Sequence, residues 1–233
     1  MLKEGSISII IPVVNEATNL PQTLASIQPD RALEIIVVDG GSSDRTLEIA
    51  HSFGVKVLSA PVANRAVQMN LGALSATGDI LLFLHADTRL PKGFDTLIHQ
   101  ALNTPKHHKQ VIAGAFALHI DAALLSLRII ERGVNWRSRW LQMPYGDQAI
   151  FMKSVTFHQI GGFPQLPIME DFELMRQLRR QGRIAIISVP AIVSARRWLR
   201  LGVWQTTIIN QLAIISYLIG VPPQKIARWY YQK

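Results

Sequence analysis

Cysteine is absent from the 233 residues, which excludes disulfides and thiolate metal centres and leaves any metal to oxygen or imidazole ligands. That usage suits a reducing compartment, so a cytoplasmic location is expected. No Pro/Gly/Ser-rich linker or charge block divides the chain. A single domain over 1–233 is therefore expected, long enough to bury a substantial core. Acidic residues are scarce, 16 against 24 Lys and Arg, giving a formal charge of +8. Such a balance favours anionic partners: nucleotides, nucleic acid or an acidic membrane surface. Nucleic acid is disfavoured because the basic residues are dispersed or lie beside apolar sequence and form no aromatic-interleaved stripe. Both common phosphate loops are missing too. No Gly-Lys-Ser/Thr follows Gly40-Gly41, and there is no Gly-x-Gly-x-x-Gly.

The apolar stretch Ile7–Val14 has one preceding lysine, contains Pro12 and lacks a small-residue cleavage pattern, so it reads as a first strand and not a signal peptide. Val203–Val221 approaches membrane length but includes Gln205, Thr206, Thr207, Asn210, Gln211 and Ser216. Trp204 and Tyr217 lie inside it, and Arg196, Arg197, Arg200, Arg228, Trp229, Tyr230 and Tyr231 flank it. A helix lying on a lipid surface is the first expectation, peripheral on the cytoplasmic membrane face. Packing on the core or on a second subunit is the next, and spanning the last; the oligomeric state is left open.

Strand and helix patterns alternate through the first half. Strands are expected at Ile7–Val14, Glu34–Val38, Val55–Leu58 and Ile80–Leu84, with helices at Ala17–Ile27, Arg45–Phe53 and Ala63–Ala76 between them. This β-α-β-α-β-α-β series implies an α/β fold with a mainly parallel central sheet flanked by helices. Beyond residue 110 the pattern predicts a strand at Val111–Ile120, an amphipathic helix at Ala122–Val134, a helix at Met169–Gln181 stopped by Gly182, and a strand at Ile184–Val189.

Three segments carry chemistry. Val37-Val38-Asp39-Gly40-Gly41-Ser42-Ser43-Asp44 places a carboxylate at a strand end and glycines in the next turn, where a nucleotide can approach the backbone. An ordinary strand–turn–helix junction capped by Ser42 or Ser43 gives the same pattern. Ile80–Leu84 runs into His85-Ala86-Asp87, two candidate ligands for Mg²⁺ or Mn²⁺ beyond the carboxyl end of a buried strand. A hydrogen-bonded histidine and a turn aspartate would look alike. Met169-Glu170-Asp171-Phe172-Glu173-Leu174 places adjacent carboxylates at a helix start, either to complement the helix dipole or to supply a general base.

Taken together and in order, these segments resemble the family 2 glycosyltransferases of the GT-A fold. Ile11-Pro12-Val13-Val14-Asn15-Glu16 resembles the family's opening strand, Val38–Asp44 its nucleotide turn, and His85-Ala86-Asp87 its Asp-x-Asp motif. Gly161-Gly162-Phe163 followed by Glu170-Asp171 is similar to the stretch carrying the catalytic base. The likeness covers residues 6 to 200. It implies a nucleotide-sugar and metal half at 6–110, an acceptor and base half at 111–200, and an apolar, basic helical extension at 201–233.

On that resemblance Pro12, Asn15, Glu16, Asp39 and Gly41 belong to the donor site and Asp87 holds the metal. Asp171 takes the acceptor's proton. The chemistry has clear needs: a departing nucleoside diphosphate gathers charge that a divalent cation stabilises, and a hydroxyl is a poor nucleophile until deprotonated. One base acting opposite the leaving group implies inversion, by analogy with inverting glycosidases. Arg65 and Arg197 are candidate diphosphate clamps. Asp147, Glu170 and Trp198 are candidates for the acceptor site.

Three departures from the family pattern stand out. Gly40 replaces a frequent second aspartate, His85 replaces the first aspartate of Asp-x-Asp, and Ser194 replaces the glutamine of the Gln-x-x-Arg-Trp element in Ser194-Ala195-Arg196-Arg197-Trp198. The last implies single transfer and not chain extension. The expected activity is metal-dependent, inverting transfer of one sugar from a nucleoside diphosphate donor to a hydroxyl acceptor, with a lipid or isoprenoid alcohol among the candidates. The basic-aromatic C-terminal region and a mean hydropathy of +0.19 favour that acceptor class. A sugar-phosphate nucleotidyltransferase is the alternative enzyme, disfavoured because Pro12–Glu16 has no Gly or Lys. A non-catalytic nucleotide-sugar or lipid-binding module is the third reading, on the strength of the His85 departure.

Overall fold

The protein is described by a computed structural model covering residues 5–28, 33–103 and 110–231. Its first half is β1 (Ile7–Val13), α1 (Leu20–Ser26), β2 (Leu33–Asp39), α2 (Thr46–Ser52), β3 (Lys56–Ser59), α3 (Arg65–Ser75), β4 (Ile80–Phe83), β5 (Thr88–Arg89) and α4 (Phe94–Asn103). Next come β6 (Val111–Asp121), α5 (Leu125–Leu141), β7 (Ile150–Lys153), α6 (Ser154–Gln159), α7 (Glu170–Gln181) and β8 (Arg183–Ser194). Three helices end the described chain: α8 (Arg196–Leu201), α9 (Val203–Leu218) and α10 (Pro223–Tyr231). The eight strands form one sheet in the order β3-β2-β1-β4-β7-β6-β8-β5.

The unbroken apolar runs arise because both faces of the sheet are covered. In β1, Ile7, Ile9, Ile11 and Val13 join one core cluster while Ile10 joins the other. In β4, Ile80 and Leu82 face one side and Leu81 and Phe83 the other. Burial on both faces removes the polar alternation of a one-sided strand.

The sheet is mainly parallel, as expected, with β6–β8 its longest parallel pairing and three short antiparallel ones beside it. Among β1 to β4 every pairing is parallel. The β4–β7, β6–β7 and β5–β8 pairings are antiparallel, so the whole sheet is mixed. β7 runs antiparallel to both of its neighbours because α5 and the turn after it return the chain in the opposite sense. β8 also continues past Pro190, well beyond the expected Val189. The register slips between Phe116 and Ala117, which leaves Ser188 and Val189 as a bulge that accommodates the proline. The expected helix at Ala122–Val134 is α5, starting later and running to Leu141. β5, α4, β7, α6, α8 and α10 carried no signal that the sequence reading used. No helix among the described residues is long and apolar enough to cross a membrane, and α9 covers Val203–Leu218 of the expected Val203–Val221.

Candidate active site

The carboxyl ends of β1 and β4 open into a cavity of about 880 Å³. Its floor is Pro12–Glu16 and His85–Asp87; α3, the Tyr145–Asp147 segment and the start of α7 form its walls, and residues of α8, α9 and α10 close it. Of the residues singled out in the sequence, Pro12, Asn15, Glu16, Arg65, His85, Asp87, Asp147, Glu170, Asp171, Arg197 and Trp198 line this one cavity. Asp39 and Gly41 do not.

The loop after β1 is fixed by the turn after β2. Asn15 sits at a left-handed φ of 53°, and its side-chain oxygen accepts from the Ser43 amide at 2.8 Å while its own amide donates to Ser42 Oγ at 2.9 Å. The Glu16 amide donates to Thr46 Oγ1 at 2.8 Å. Asp39 accepts from the Gly41 amide at 2.9 Å, the Ser42 amide at 3.1 Å and the Ser42 hydroxyl. Its carboxylate is thus spent on shaping the turn. Gly41 adopts a φ of +100°, a conformation that favours glycine.

Three of the four non-glycine residues with positive φ among the described residues bracket the site: Asn15, Ala149 after the Gly146–Gln148 turn, and Met169 just before α7. Such backbone costs energy and gathers where geometry is over-determined by function. Asp171, in the first turn of α7, accepts from the Gly146 amide at 2.7 Å through Oδ2 and from the Phe172 amide at 2.7 Å through Oδ1. Each oxygen keeps a lone pair. A Cβ added at Gly146 would lie 2.8 Å from His85 Nε2 and 3.3 Å from Asp171 Oδ2. Gly146 therefore lets the end of β4 and the start of α7 approach one point.

Burial sets the electrostatics. It drives His85 well below its ordinary pKa, and the Arg65 charge adds to the effect, so the imidazole is neutral at physiological pH. Burial raises Asp87, reinforced by Glu16 and opposed by Arg196 and Arg65. Asp147 is pushed up to about 6, first by burial; Arg137 opposes the shift, and Asp171 and Asp87 reinforce it. One Asp147 oxygen is buried without a hydrogen-bond partner. Burial likewise raises Glu170, offset in part by Arg65, whose Nη1 lies 3.3 Å from Glu170 Oε1.

Both expected clamps are held by protein groups. Arg65 pairs with Glu170, and Arg197 donates to Tyr230 Oη with its guanidinium 4.2 Å from that ring's centre. Arg196 bridges to Glu16 at 2.8 Å, and Arg200 also lines the cavity. Sequence reasoning missed Gln68, which donates to the carbonyls of Val13 and Val38 at 2.9 and 2.8 Å and so ties β1 to β2. It also missed Asn70, whose side chain brackets Phe163 with bonds of 2.8 and 2.9 Å and steadies the segment leading to α7. Tyr145, Tyr230 and Tyr231 complete the lining. No local pattern marks Gln68 or Asn70, and Tyr230 and Tyr231, legible only as part of the basic-aromatic C-terminal region, reach the cavity by tertiary packing.

Residues 8–163 match the model of glycosyl transferase family 2. The chain belongs to glycosyl transferase family 2. A PGL/p-HBAD biosynthesis glycosyltransferase of Mycobacterium tuberculosis is 41% identical over 161 residues, which cover 66% of this chain and 57% of that protein. The 4,4'-diaponeurosporenoate glycosyltransferase of Staphylococcus haemolyticus is 41% identical over 93 residues, 36% of this chain and 25% of the relative. The chain thus spans less than two thirds of either relative. A mannosyltransferase of Pyrobaculum calidifontis, solved with GDP-Man and Mn²⁺, superposes with a TM-score of 0.65 at 20% identity, over 83% of this chain and 57% of that one. The glucosyl-3-phosphoglycerate synthase of Mycobacterium tuberculosis, solved with Mn²⁺, UDP and phosphoglyceric acid, gives 0.63 at 19% identity over 94% and 80%. These likenesses establish the GT-A fold for this family 2 member.

Proposed function

We propose that this family 2 glycosyltransferase moves a single sugar, with inversion, from a nucleoside diphosphate sugar to a hydroxyl acceptor, using a divalent cation. The observation that carries the reading is the convergence of His85 and Asp171 on Gly146, which sets a candidate base against the end of β4 inside one cavity. The structural neighbours' complexes with GDP-Man, UDP and Mn²⁺ support the donor class and the metal.

The residues present fit such an ion. His85 is kept neutral, with a ring nitrogen free to ligate, and Asp87 is a desolvated carboxylate that a cation would relieve. Among the described residues no three His, Cys, Asp or Glu side chains form a ready-made cage. Mg²⁺ and Mn²⁺ sites that take one or two protein ligands and complete their shell with substrate phosphates need none. Asp87 and His85 would hold the ion, which when bound stabilises charge on the departing diphosphate.

The chain's own groups perform the remaining steps. Asp171 takes the acceptor hydroxyl's proton as that oxygen bonds to the anomeric carbon; the bond from that carbon to the diphosphate breaks, and its electron pair leaves with the nucleoside diphosphate. Attack from the side opposite the leaving group inverts the centre, with no covalent sugar–enzyme intermediate. Arg65, Arg196, Arg197 and Arg200 give the cavity a cationic wall for the diphosphate. Asp39 and Gly41 act on the donor through the turn they build. The partly buried Asp147, with Glu170 and Trp198, faces the acceptor. In this reading 6–110 serves donor and metal, 111–200 acceptor and base, and 201–233 the closing extension. The acceptor is a lipid or isoprenoid alcohol reached from the cytoplasmic face of a membrane, supported by the basic, apolar helices that close the cavity.

A screen of UDP, GDP and dTDP sugars with Mg²⁺ or Mn²⁺ tests the proposal. Metal-stimulated release of nucleoside diphosphate from one donor is expected. Absence of release with every donor and both metals would overturn it, and pyrophosphate formed from a nucleoside triphosphate and a sugar phosphate would favour the nucleotidyltransferase instead.

A further inference from the structure

We infer that the outer face of α5, continued on α9, is a docking face for an anionic phospholipid bilayer, and that the depression beside α5 receives a lipid phosphate. On α5, Leu125, Ile129, Trp136 and Trp140 are 84%, 57%, 59% and 73% exposed. Their spacing of i, i+4, i+11 and i+15 puts them on one stripe. Arg132 fills the remaining turn of that stripe and Arg139 borders it. On α9, Trp204, Ile208, Leu212 and Ile215 form a second exposed stripe with the same periodicity, which Ile219 continues just past the helix end. The two helices contact one another.

Scattered exposed apolar residues are ordinary, but two periodic stripes on touching helices are not. Charge selects the occupant. Residues 195–231 contain Arg196, Arg197, Arg200, Lys225 and Arg228 and no Asp or Glu. The sole acid of α5, Glu131, is buried against Arg128 and the Ile120 amide. An apolar stripe rimmed by cations and exposed indoles matches an acidic membrane surface, where Trp sits at headgroup depth and Arg meets phosphate. A second copy would bring the same positive rim against itself. Beside α5 lies a depression of about 480 Å³ whose lining includes Arg132, Asn135, Trp136, Arg139 and Trp140, together with Glu131, whose charge Arg128 meets at 3.0 Å. Arg132 makes no ion pair among the described residues, and Arg139 donates to Ser188 Oγ at 3.1 Å. Two guanidinium groups flanked by indoles suit a phosphodiester headgroup.

This inference rests on the membrane half of the reading above and names the surface that meets the lipid. Co-sedimentation with vesicles of phosphatidylcholine alone, or mixed with phosphatidylglycerol, tests it. The unmodified protein should bind the mixed vesicles, lose binding as salt rises, and leave the neutral ones. Trp136→Ser with Trp140→Ser should weaken binding about tenfold, in line with the apolar area withdrawn. Arg132→Gln with Arg139→Gln should weaken it and flatten the salt dependence. Donor hydrolysis without lipid reports whether each variant is folded. Should a variant not fold, quenching of the unmodified protein's tryptophan fluorescence by brominated lipid in mixed vesicles reads the same contact. Equal binding to both vesicle types, variants that bind like the parent, or a dimer in solution that the Trp changes dissociate would each overturn the docking face. Failure of donor hydrolysis in the unmodified protein would strike the transferase reading and leave the vesicle result standing.

Discussion

Asp39 ends β2 and Asp87 lies in the turn after β4, the two strands that flank β1, yet they meet opposite fates. Asp39 is saturated: two amides and a hydroxyl from its own turn occupy its carboxylate. Asp87 carries a desolvation cost, reinforced by the nearby Glu16 charge. The first stabilises a loop; the second keeps a carboxyl that burial raises and that Arg196 and Arg65 only partly offset, the state the proposed cation would relieve. An aspartate at a strand end is therefore not by itself a ligand. What distinguishes the two is how many donors the neighbouring chain already offers.

The comparison sharpens most at Asp171, which combines two backbone donors with open lone pairs. Asp171→Asn preserves size and leaves no base, so kcat should fall on the order of a thousandfold while nucleotide affinity, read by calorimetry, stays near that of the parent. An active Asn variant would remove the base assignment. Asp87→Asn comes next: donor turnover should drop on the order of a hundredfold, and titration with Mn²⁺ should no longer stimulate it. Thermal stability of the same variant without metal should hold or rise, because a desolvated charge has been removed.

Asp39→Asn should behave in the reverse way. Denaturant unfolding should show a loss of about 2 kcal/mol, the cost of weakening charge-assisted bonds from the turn, while Mn²⁺ stimulation of turnover persists. Should Asp39→Asn abolish metal response and spare stability, the contrast between the two aspartates would collapse.

Much of the scaffold was legible because its signals are local. The alternation of Ile9, Ile10 and Ile11 between two cores leaves an apolar run that only a two-sided strand explains. The order of Asn15, Asp39, His85 and Asp171 along the chain carried the family likeness. The spent state of Asp39 was not legible, since hydrogen bonds within a turn leave no mark on residue type. Nor were the partners of the arginines. Glu16 meets Arg196 across 180 positions, and Arg197 meets Tyr230 through packing of α10. β8 hid its length behind Pro190, which reads as a stop until a bulge absorbs it. Each failure concerns a contact whose two halves lie far apart in sequence or whose geometry is set by the backbone.

The smallest expected effect lies at Asp147, which stands between the two extremes: partly buried, with one oxygen unpartnered. Its carboxyl is pushed up to about 6 from an ordinary 3.8, chiefly by burial, with Arg137 opposing and Asp171 and Asp87 reinforcing the shift. Between those two values the folded chain binds more protons at this site than the unfolded chain. Stability through Asp147 therefore falls as pH rises from near 4 to near 6, is lowest above the folded value, and is free of this penalty below the unfolded one. Asp147→Asn should flatten that part of the stability–pH curve, measured by denaturant unfolding in buffers without divalent cation, and should raise stability at pH 7 relative to the parent. An unchanged slope would mean that solvent reaches the orphaned oxygen, and would move Asp147 to the saturated side of the comparison beside Asp39.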